Sequence, residues 1–298
     1  HSRQTPRGGR IIVDTVQLGN ALGAEIRGVD ITQNLSDAEI DEIRSIWHQH
    51  HVIVFRGVDW TPDAQLAFAG RFGNLDDHAA TPNDSLEGYP ELLEVSTIPK
   101  NGKPSPTRTA GRDWHSDYAY TSRPAAASIL YCTEKPAVGG DTMFCNMARA
   151  YDTLTDKMKA VVGDLQSVYD FTLVSGVKDR TAENEAELYK INPPVAHPTV
   201  RVHNESGVKA LYVSERTSHF NGMSRAESAP IIQYLCEQAI QPENVYRHQW
   251  RVGDLVCWDN RTTMHLALGD FDPTARRRML RATVQGEKTG EVLPPPES

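Results

Sequence analysis

A β-rich fold with flanking helices is predicted by three features of this 298-residue chain: short apolar stretches of strand length, turn signals of Gly, Pro, Asp and Asn between them, and few segments with helical periodicity. The length fits one large domain or two ordinary ones, and β-rich domains often exceed about 200 residues. Strand-length pieces recur from end to end without a linker or an internal repeat. The expectation is therefore a single domain over residues 1–298, with a loop-rich active-site insertion at 75–112 and a tail at 287–298.

Taken in order, Arg10–Leu18 and Ala24–Val29 alternate apolar and polar residues as half-buried strands do. Ser36 and Glu39 have the spacing of a capping box, and Ile40, Ile43, Ile46 and Trp47 fall on one face of a helix running to about His50. Val52–Phe55 is a compact buried strand. Thr61 and Pro62 supply a cap and a first-position proline for a helix carrying Leu66 and Phe68 towards Arg71, Phe72 and Gly73. From Leu75 to about Arg112 the chain is rich in turn formers, apart from the apolar piece at 92–95. It reads as a long, partly mobile loop system, and loops of that length are usually functional. Strands are expected at 127–132, 142–145, 210–213, 254–258 and 279–285, and helices near 147–165 and 229–240, the second containing Pro230. The three prolines at 294–296 read as a frayed end.

Composition narrows the function. Apolar residues at 39%, charged residues at 23%, 21 Gly and 18 Pro describe a globular, turn-rich protein. A formal net charge of −8 argues against general affinity for nucleic acid, which requires clustered Lys and Arg. No run approaches the roughly 20 apolar residues of a membrane span. Cys132, Cys145, Cys236 and Cys257 are widely spaced and read as buried thiols. With no signal-peptide core after His1 and Ser2, the cytoplasm is the expected compartment. A homo-oligomer is compatible with all of this.

The chemistry centres on AspTrpHisSerAspTyr at 113–118. On an extended strand residues i and i+2 share a face, so His115 and Asp117 could grip one ion as two-thirds of a facial triad. Alone the motif is weak, since a surface His beside a turn Asp arises easily among 11 histidines. His265 strengthens it, lying where an apolar strand ends near a pocket mouth. Downstream, the run 276–281 places Arg277, Met279 and Arg281 on one face of a strand and Arg276, Arg278 and Leu280 on the other, so one pair of arginines can point inward. A metal-chelating dicarboxylate needs its far carboxylate neutralised, and a bidentate guanidinium suits that. A solvated basic run on an acidic protein is the plainer reading.

These pieces, with ValIleValPheArgGly at 52–57, ArgPheGly at 71–73, GlyGlyAspThrMetPhe at 139–144, TrpAspAsnArg at 258–261 and ArgAlaThrValGlnGly at 281–286, resemble the taurine dioxygenase and 2,4-dichlorophenoxyacetate dioxygenase family over most of the chain. The resemblance implies a double-stranded β-helix (jelly-roll) core, Fe(II) on His115, Asp117 and His265, and O2 with 2-oxoglutarate as co-substrates. It implies that Thr142 and Arg277 take the far carboxylate of 2-oxoglutarate, Arg277 being found by counting four residues back from Arg281. Arg281 matches a second arginine beside the iron that can meet an anionic substrate. It implies hydroxylation of a small organic anion, such as a sulfonate, aryloxyalkanoate, alkyl sulfate or related carboxylate, with release of succinate and CO2.

For the substrate, His78 matches a sulfonate-binding histidine of taurine dioxygenase, although an exposed loop histidine is the plainer reading. Thr81 and Gly111 stand where that enzyme has Tyr and Asn, which puts taurine itself in doubt. Tyr118, Tyr120 and Phe220 are candidate walls. His48, His50 and His51 straddle a helix end, and His197, His203, His219 and His248 lack a carboxylate at ligand spacing; all seven read as structural, as do Trp114 and Trp258. The competing readings are a zinc hydrolase using the same triad and a jelly-roll binding protein without turnover.

Overall fold

The computed structural model describes residues 13–78, 84–100, 102–174 and 182–294. The first residues of the expected strand at 10–18, Thr81 and the end of the proline run lie outside them. Within them the fold is mostly β with a few helices.

The largest sheet takes its eight strands in the order β1-β2-β3-β14-β6-β16-β5-β4. These are β1 (Asp14–Gln17), β2 (Ala24–Arg27), β3 (Val52–Phe55), β4 (Ser85–Leu86), β5 (Tyr89–Ser96), β6 (Ala125–Glu134), β14 (Leu255–Asp259) and β16 (Arg278–Gln285). Only β2 and β3 run parallel within it. Strand alternation gives this sheet two apolar faces. Ile53 and Phe55, Ile129 and Tyr131, and Ala282 and Val284 face one way, clustering with Ile43 and Trp47 of α1 (Asp37–His50) and Phe68 of α2 (Pro62–Ala69). Both helices start where predicted, with the Ser36–Glu39 capping box and the Thr61 cap in place. Val52, Val54, Leu130, Cys132, Trp258 and Met279 face the other way and cluster with Phe144 and Tyr246.

Phe144 and Tyr246 belong to a three-stranded sheet, β13-β7-β15, built from β7 (Thr142–Asn146), β13 (Val245–His248) and β15 (Thr263–Ala267). The apolar layer between the two sheets thus follows from period two in each. A four-stranded sheet, β12-β8-β9-β17, comprises β8 (Gln166–Tyr169), β9 (Val195–Pro198), β12 (Thr217–Phe220) and β17 (Glu291–Val292), and β10 (Val200–Val202) pairs with β11 (Lys209–Leu211).

Several expectations need correction. The 75–112 stretch is not loop throughout: β5 is an eight-residue strand whose residues Leu92 to Ser96 pair with β16, so the apolar piece at 92–95 belongs to the main sheet. The helix expected over 147–165 is two helices, α3 (Met147–Asp152) and α4 (Asp156–Gly163), because the Thr155 hydroxyl accepts from Met158 N–H and caps a new start. After α5 (Ala182–Ile191), α6 spans Arg225–Ala239. A capping box of Ser224 and Glu227 starts α6 a turn earlier than expected and leaves Pro230 inside it. Residues 291–293 are tied down: β17 pairs with β9, and Leu293 N–H reaches Pro194 O.

Buried histidines give the fold a pH limit. His51, His78 and His197 are each lowered from 6.5 to about 4, chiefly because burial disfavours the imidazolium. Below pH 6.5 the unfolded chain takes up protons that the native state refuses until about pH 4, so stability is full above 6.5 and falls across that window. The urea midpoint should therefore be lower at pH 5.5 than at pH 7.5. An unchanged midpoint would mean that these rings are protonated in the native state.

Candidate active site

A cavity of about 160 Å³ opens between the main sheet and the three-stranded sheet. His115, Asp117 and His265 lie on its wall, all three buried. The segment at 113–118 is not the continuous strand expected. His115 makes a single antiparallel bridge with His265, each backbone N–H donating to the other's carbonyl, and Asp117 then opens a turn in which Tyr118 has φ +56°. His265 sits in the middle of β15, not at a strand end. The bridge sets the two imidazoles side by side, with ring centroids 4.1 Å apart.

The facing atoms suit a cation. His115 Nε2 lies 3.8 Å from Asp117 Oδ1, and His265 Nε2 lies 3.8 Å from Asp117 Oδ2. Two ligand atoms each about 2.1 Å from one ion lie at most about 4.2 Å apart, so these spacings admit a shared ion. His115 Nδ1 donates to the Asp113 carbonyl at 2.7 Å, and that leaves the Nε2 lone pair turned to the site. The His265 ring is held by packing, its centroid 4.8 Å from that of Trp258. Burial pushes His265 down to about 4 and His115 well below its ordinary value, so both are neutral ligands at neutral pH. Burial alone would raise Asp117, but Arg281 and the two histidines outweigh it and hold the carboxyl well below its usual range.

A second cluster, His48, His203 and Glu205, has ligand-type atoms equally close together. Two of its three residues are already engaged. His203 Nε2 pairs with Asp259, its Nδ1 accepts two backbone N–H groups, and Glu205 pairs with Arg261 and Arg44. The sequence reading of His203 as structural agrees with this, although it does have a carboxylate partner in space.

The arginine run sorts itself by face. Arg276 pairs with Glu134 on the surface and Arg278 with Glu94, whereas Arg277 is buried and lines the cavity. Among the described residues no carboxylate makes a salt bridge with Arg277; its Nε donates to Gly140 O at 3.3 Å. Burial lowers it to about 10, so it remains a cation at neutral pH. A buried cation without a counter-ion is costly, and an anion entering the cavity would remove that cost. Thr142 lies beside it on the same wall. The Thr142 oxygen accepts from Trp250 Nε1 at 3.0 Å, so its own proton remains available to a ligand. The GlyGlyAspThr turn needs its glycine: a Cβ on Gly139, at φ +75°, would stand 2.3 Å from Asp270 O.

The remaining wall residues divide. Arg281 reaches the cavity and donates to Asp117 Oδ1 at 2.8 Å. Tyr118 and Tyr120 line it as expected. His78 is corrected on both readings. It is buried, not exposed, and it does not itself line the cavity, because its Nδ1 meets the Tyr118 hydroxyl at 2.7 Å. Phe220 is corrected too: β12 lays it against α6, where its N–H donates to Ser228 Oγ and its ring packs in the cluster around α3 and α6. Trp258, read as core, both packs and lines the cavity.

Arg216 was not foreseen. It lines the cavity and grips Asp113 with two hydrogen bonds, of 3.0 and 2.7 Å. Its partner is 103 residues away, so no local pattern could reveal it. Gly111, at φ +73°, leaves open the space over the metal-facing imidazole, since a Cβ there would lie 3.2 Å from His115 Cε1.

Residues 14–283 match the model described as "Taurine catabolism dioxygenase TauD, TfdA family". The chain is 36% identical over 263 residues to the alpha-ketoglutarate-dependent 2,4-dichlorophenoxyacetate dioxygenase of Burkholderia sp. (strain RASC), covering 85% of this chain and 88% of that one. It is 31% identical over 282 residues to the alpha-ketoglutarate-dependent sulfate ester dioxygenase of Pseudomonas putida, covering 92% and 90%. Among solved structures, AAD-2 in complex with Mn(II) and N-oxalylglycine superposes with a TM-score of 0.82 at 32% identity, covering 94% of this chain and 99% of that one. A taurine dioxygenase from Burkholderia xenovorans gives 0.79 at 30%, covering 95% of each.

Proposed function

The chain belongs to the taurine catabolism dioxygenase TauD, TfdA family and is an Fe(II)- and 2-oxoglutarate-dependent dioxygenase, and from that premise we propose that its metal is held by His115, Asp117 and His265 and its 2-oxoglutarate by Arg277 and Thr142. The observation that carries the reading is Arg277, a buried guanidinium with no carboxylate in salt-bridge contact among the described residues, on the same cavity as three neutral or anionic metal-type ligands. The two sheets with the cavity between them form the double-stranded β-helix of a single catalytic domain. Iron(II), with 2-oxoglutarate and O2, supplies hydroxylation of a C–H bond, with succinate and CO2 as co-products.

The chain's own residues bind, orient and exclude water. Arg277 neutralises the far carboxylate of the dicarboxylate while the Thr142 hydroxyl donates to it. The imidazoles stay unprotonated, and the Asp113 carbonyl keeps the His115 proton on Nδ1. The substrate is a small organic anion meeting Arg281 beside Tyr118 and Tyr120, with Leu93, Leu130 and Val174 shielding the target carbon from water. The 2,4-dichlorophenoxyacetate and sulfate ester dioxygenases named above act on anions of this size. A zinc hydrolase would leave Arg277 without a task. The four free, buried cysteines fit a reducing, cytoplasmic setting.

The test is succinate formation by iron-loaded protein given oxygen and 2-oxoglutarate, across sulfonates, aryloxyalkanoates, alkyl sulfates and plain carboxylates. Stimulation by one anionic class and none by neutral analogues is expected; stimulation by neutral compounds alone would reject the anionic pocket.

Gly111 sets the size limit. Asn tolerates positive φ better than most residues, so Gly111→Asn should fold yet place its side chain over His115. It is expected to lower kcat/KM for aryloxyalkanoates about tenfold, roughly one lost apolar contact's worth, and to affect the smallest acids less. An equal effect on both would show that Gly111 does not border the substrate.

A further inference from the structure

We infer that Ser128 and Asn260 are positioning residues that hold the Asp117 carboxylate in place for the metal, an inference that rests on the reading of Asp117 as a ligand. The two histidines of the site are fixed by their backbone bridge. Asp117 shows no reciprocal bridge of that kind among the described residues; its carbonyl accepts from Ala125 N–H at 3.2 Å, and its own N–H turns to a side chain as it begins the turn that leads into the left-handed Tyr118. A closed ring of side-chain hydrogen bonds takes the bridge's place. Asp117 N–H donates to Asn260 Oδ1 at 3.1 Å, Asn260 Nδ2 donates to Ser128 Oγ at 3.0 Å, and the Ser128 hydroxyl donates to Asp117 Oδ2 at 2.6 Å. Trp258 Nε1 also donates to Asn260 Oδ1, at 3.1 Å, which fixes which end of the amide is oxygen.

The ring is built against local preference. Ser128 is fully buried on the inter-sheet face of β6, in line with Leu130 and Cys132, where a hydroxyl gains nothing unless it is paired. Asn260 is fully buried in the turn from β14 to β15, so the strand that places Trp258 and the strand that carries His265 are joined by the residue that holds Asp117. This accounts for the Trp and the Asn of the TrpAspAsnArg motif, which the ligand set leaves unused, while Asp259 between them pairs with Arg261 and His203. With Oδ1 on Arg281 and Oδ2 on Ser128, the carboxylate has one orientation before any ion arrives. Such outer-shell partners are typically worth ~10–100-fold in metal affinity.

The test is Mn(II) affinity of the full chain, read from the free-ion EPR signal and needing no turnover, with the melting temperature recorded alongside. Ser128→Ala and the isosteric weak donor Ser128→Cys should bind Mn(II) ~10–100-fold more weakly, and Ser128→Thr, which keeps the hydroxyl, should come within a few-fold of wild type. Wild-type affinity in a folded Ser128→Ala or Ser128→Cys protein overturns the inference, as does an equal loss in Ser128→Thr. Asp117→Asn separates the two levels. If it binds Mn(II) as well as wild type, the ligand reading fails. If it loses binding while Ser128→Ala keeps it, only the positioning role fails.

Discussion

His115→Ala, Asp117→Ala and His265→Ala are each expected to abolish 2-oxoglutarate-dependent succinate formation, with a loss well beyond 100-fold, since outer-shell changes at metal sites already cost ~10–100-fold. The fold should survive in the histidine variants, because the backbone bridge between 115 and 265 uses main-chain atoms that alanine retains. Asp117 differs. Its removal strands Arg281 inside the cavity wall, and an uncompensated buried charge costs about 3–5 kcal/mol. Asp117→Asn keeps the shape and a hydrogen-bond acceptor for Arg281, so it should melt closer to wild type than Asp117→Ala while being equally inactive. Metal content, succinate yield and melting temperature together decide the matter. A His115→Ala protein that retains stoichiometric iron and forms succinate would remove that residue from the ligand set.

Much of this site was legible in sequence because its parts are local. His115 and Asp117 are two residues apart, and period two sorts the arginine run into two faces, with the choice of Arg277 resting on the count back from Arg281; Arg277 and Arg281 line the cavity while Arg276 pairs with Glu134 on the surface and Arg278 with the buried Glu94. The Ser36–Glu39 capping box, the Thr61 cap with Pro62 and the apolar run at 52–55 gave the starts of α1 and α2 and the span of β3 for the same reason. Failures came where the determining contact is distant. β5 hides among turn formers, because its partner β16 lies about 185 residues on and supplies the ladder that the local composition does not suggest. Phe220 looks like a pocket aromatic until α6 covers it, and His78 looks like a loop residue until Tyr118 closes over it. Arg216 with Asp113, and Ser128 with Asn260, are pairings across 103 and 132 residues, for which one sequence carries no signal. Ahead of the prolines at 294–296, which read as a frayed end, β9 offers Glu291 and Val292 an edge that the local sequence does not announce.

Arg277→Ala is expected to raise the 2-oxoglutarate concentration for half-maximal activity by roughly 30- to 3,000-fold, with metal binding intact. The range follows from the ~2–5 kcal/mol lost when one partner of a buried, hydrogen-bonded charge pair is truncated, at about 1.4 kcal/mol per tenfold. Arg277 sits at the upper end of exposure to that loss, for it is buried, charged at neutral pH and, among the described residues, held through Nε to Gly140 O, which leaves its remaining N–H groups to a bound carboxylate. Arg277→Lys keeps a cation but not the planar fork and should fall between the two. Arg276→Ala and Arg278→Ala remove a neighbouring charge of the same sign without entering the cavity, so each should stay within about threefold of wild type: the Arg276 pair is exposed and worth little, and the buried Glu94 keeps Lys100 as a partner when Arg278 is removed. Titration of 2-oxoglutarate across these four variants separates a specific carboxylate clamp from a general positive field. Equal shifts in Arg276→Ala and Arg277→Ala would favour the field, and no shift in Arg277→Ala would move the far carboxylate to another part of the wall.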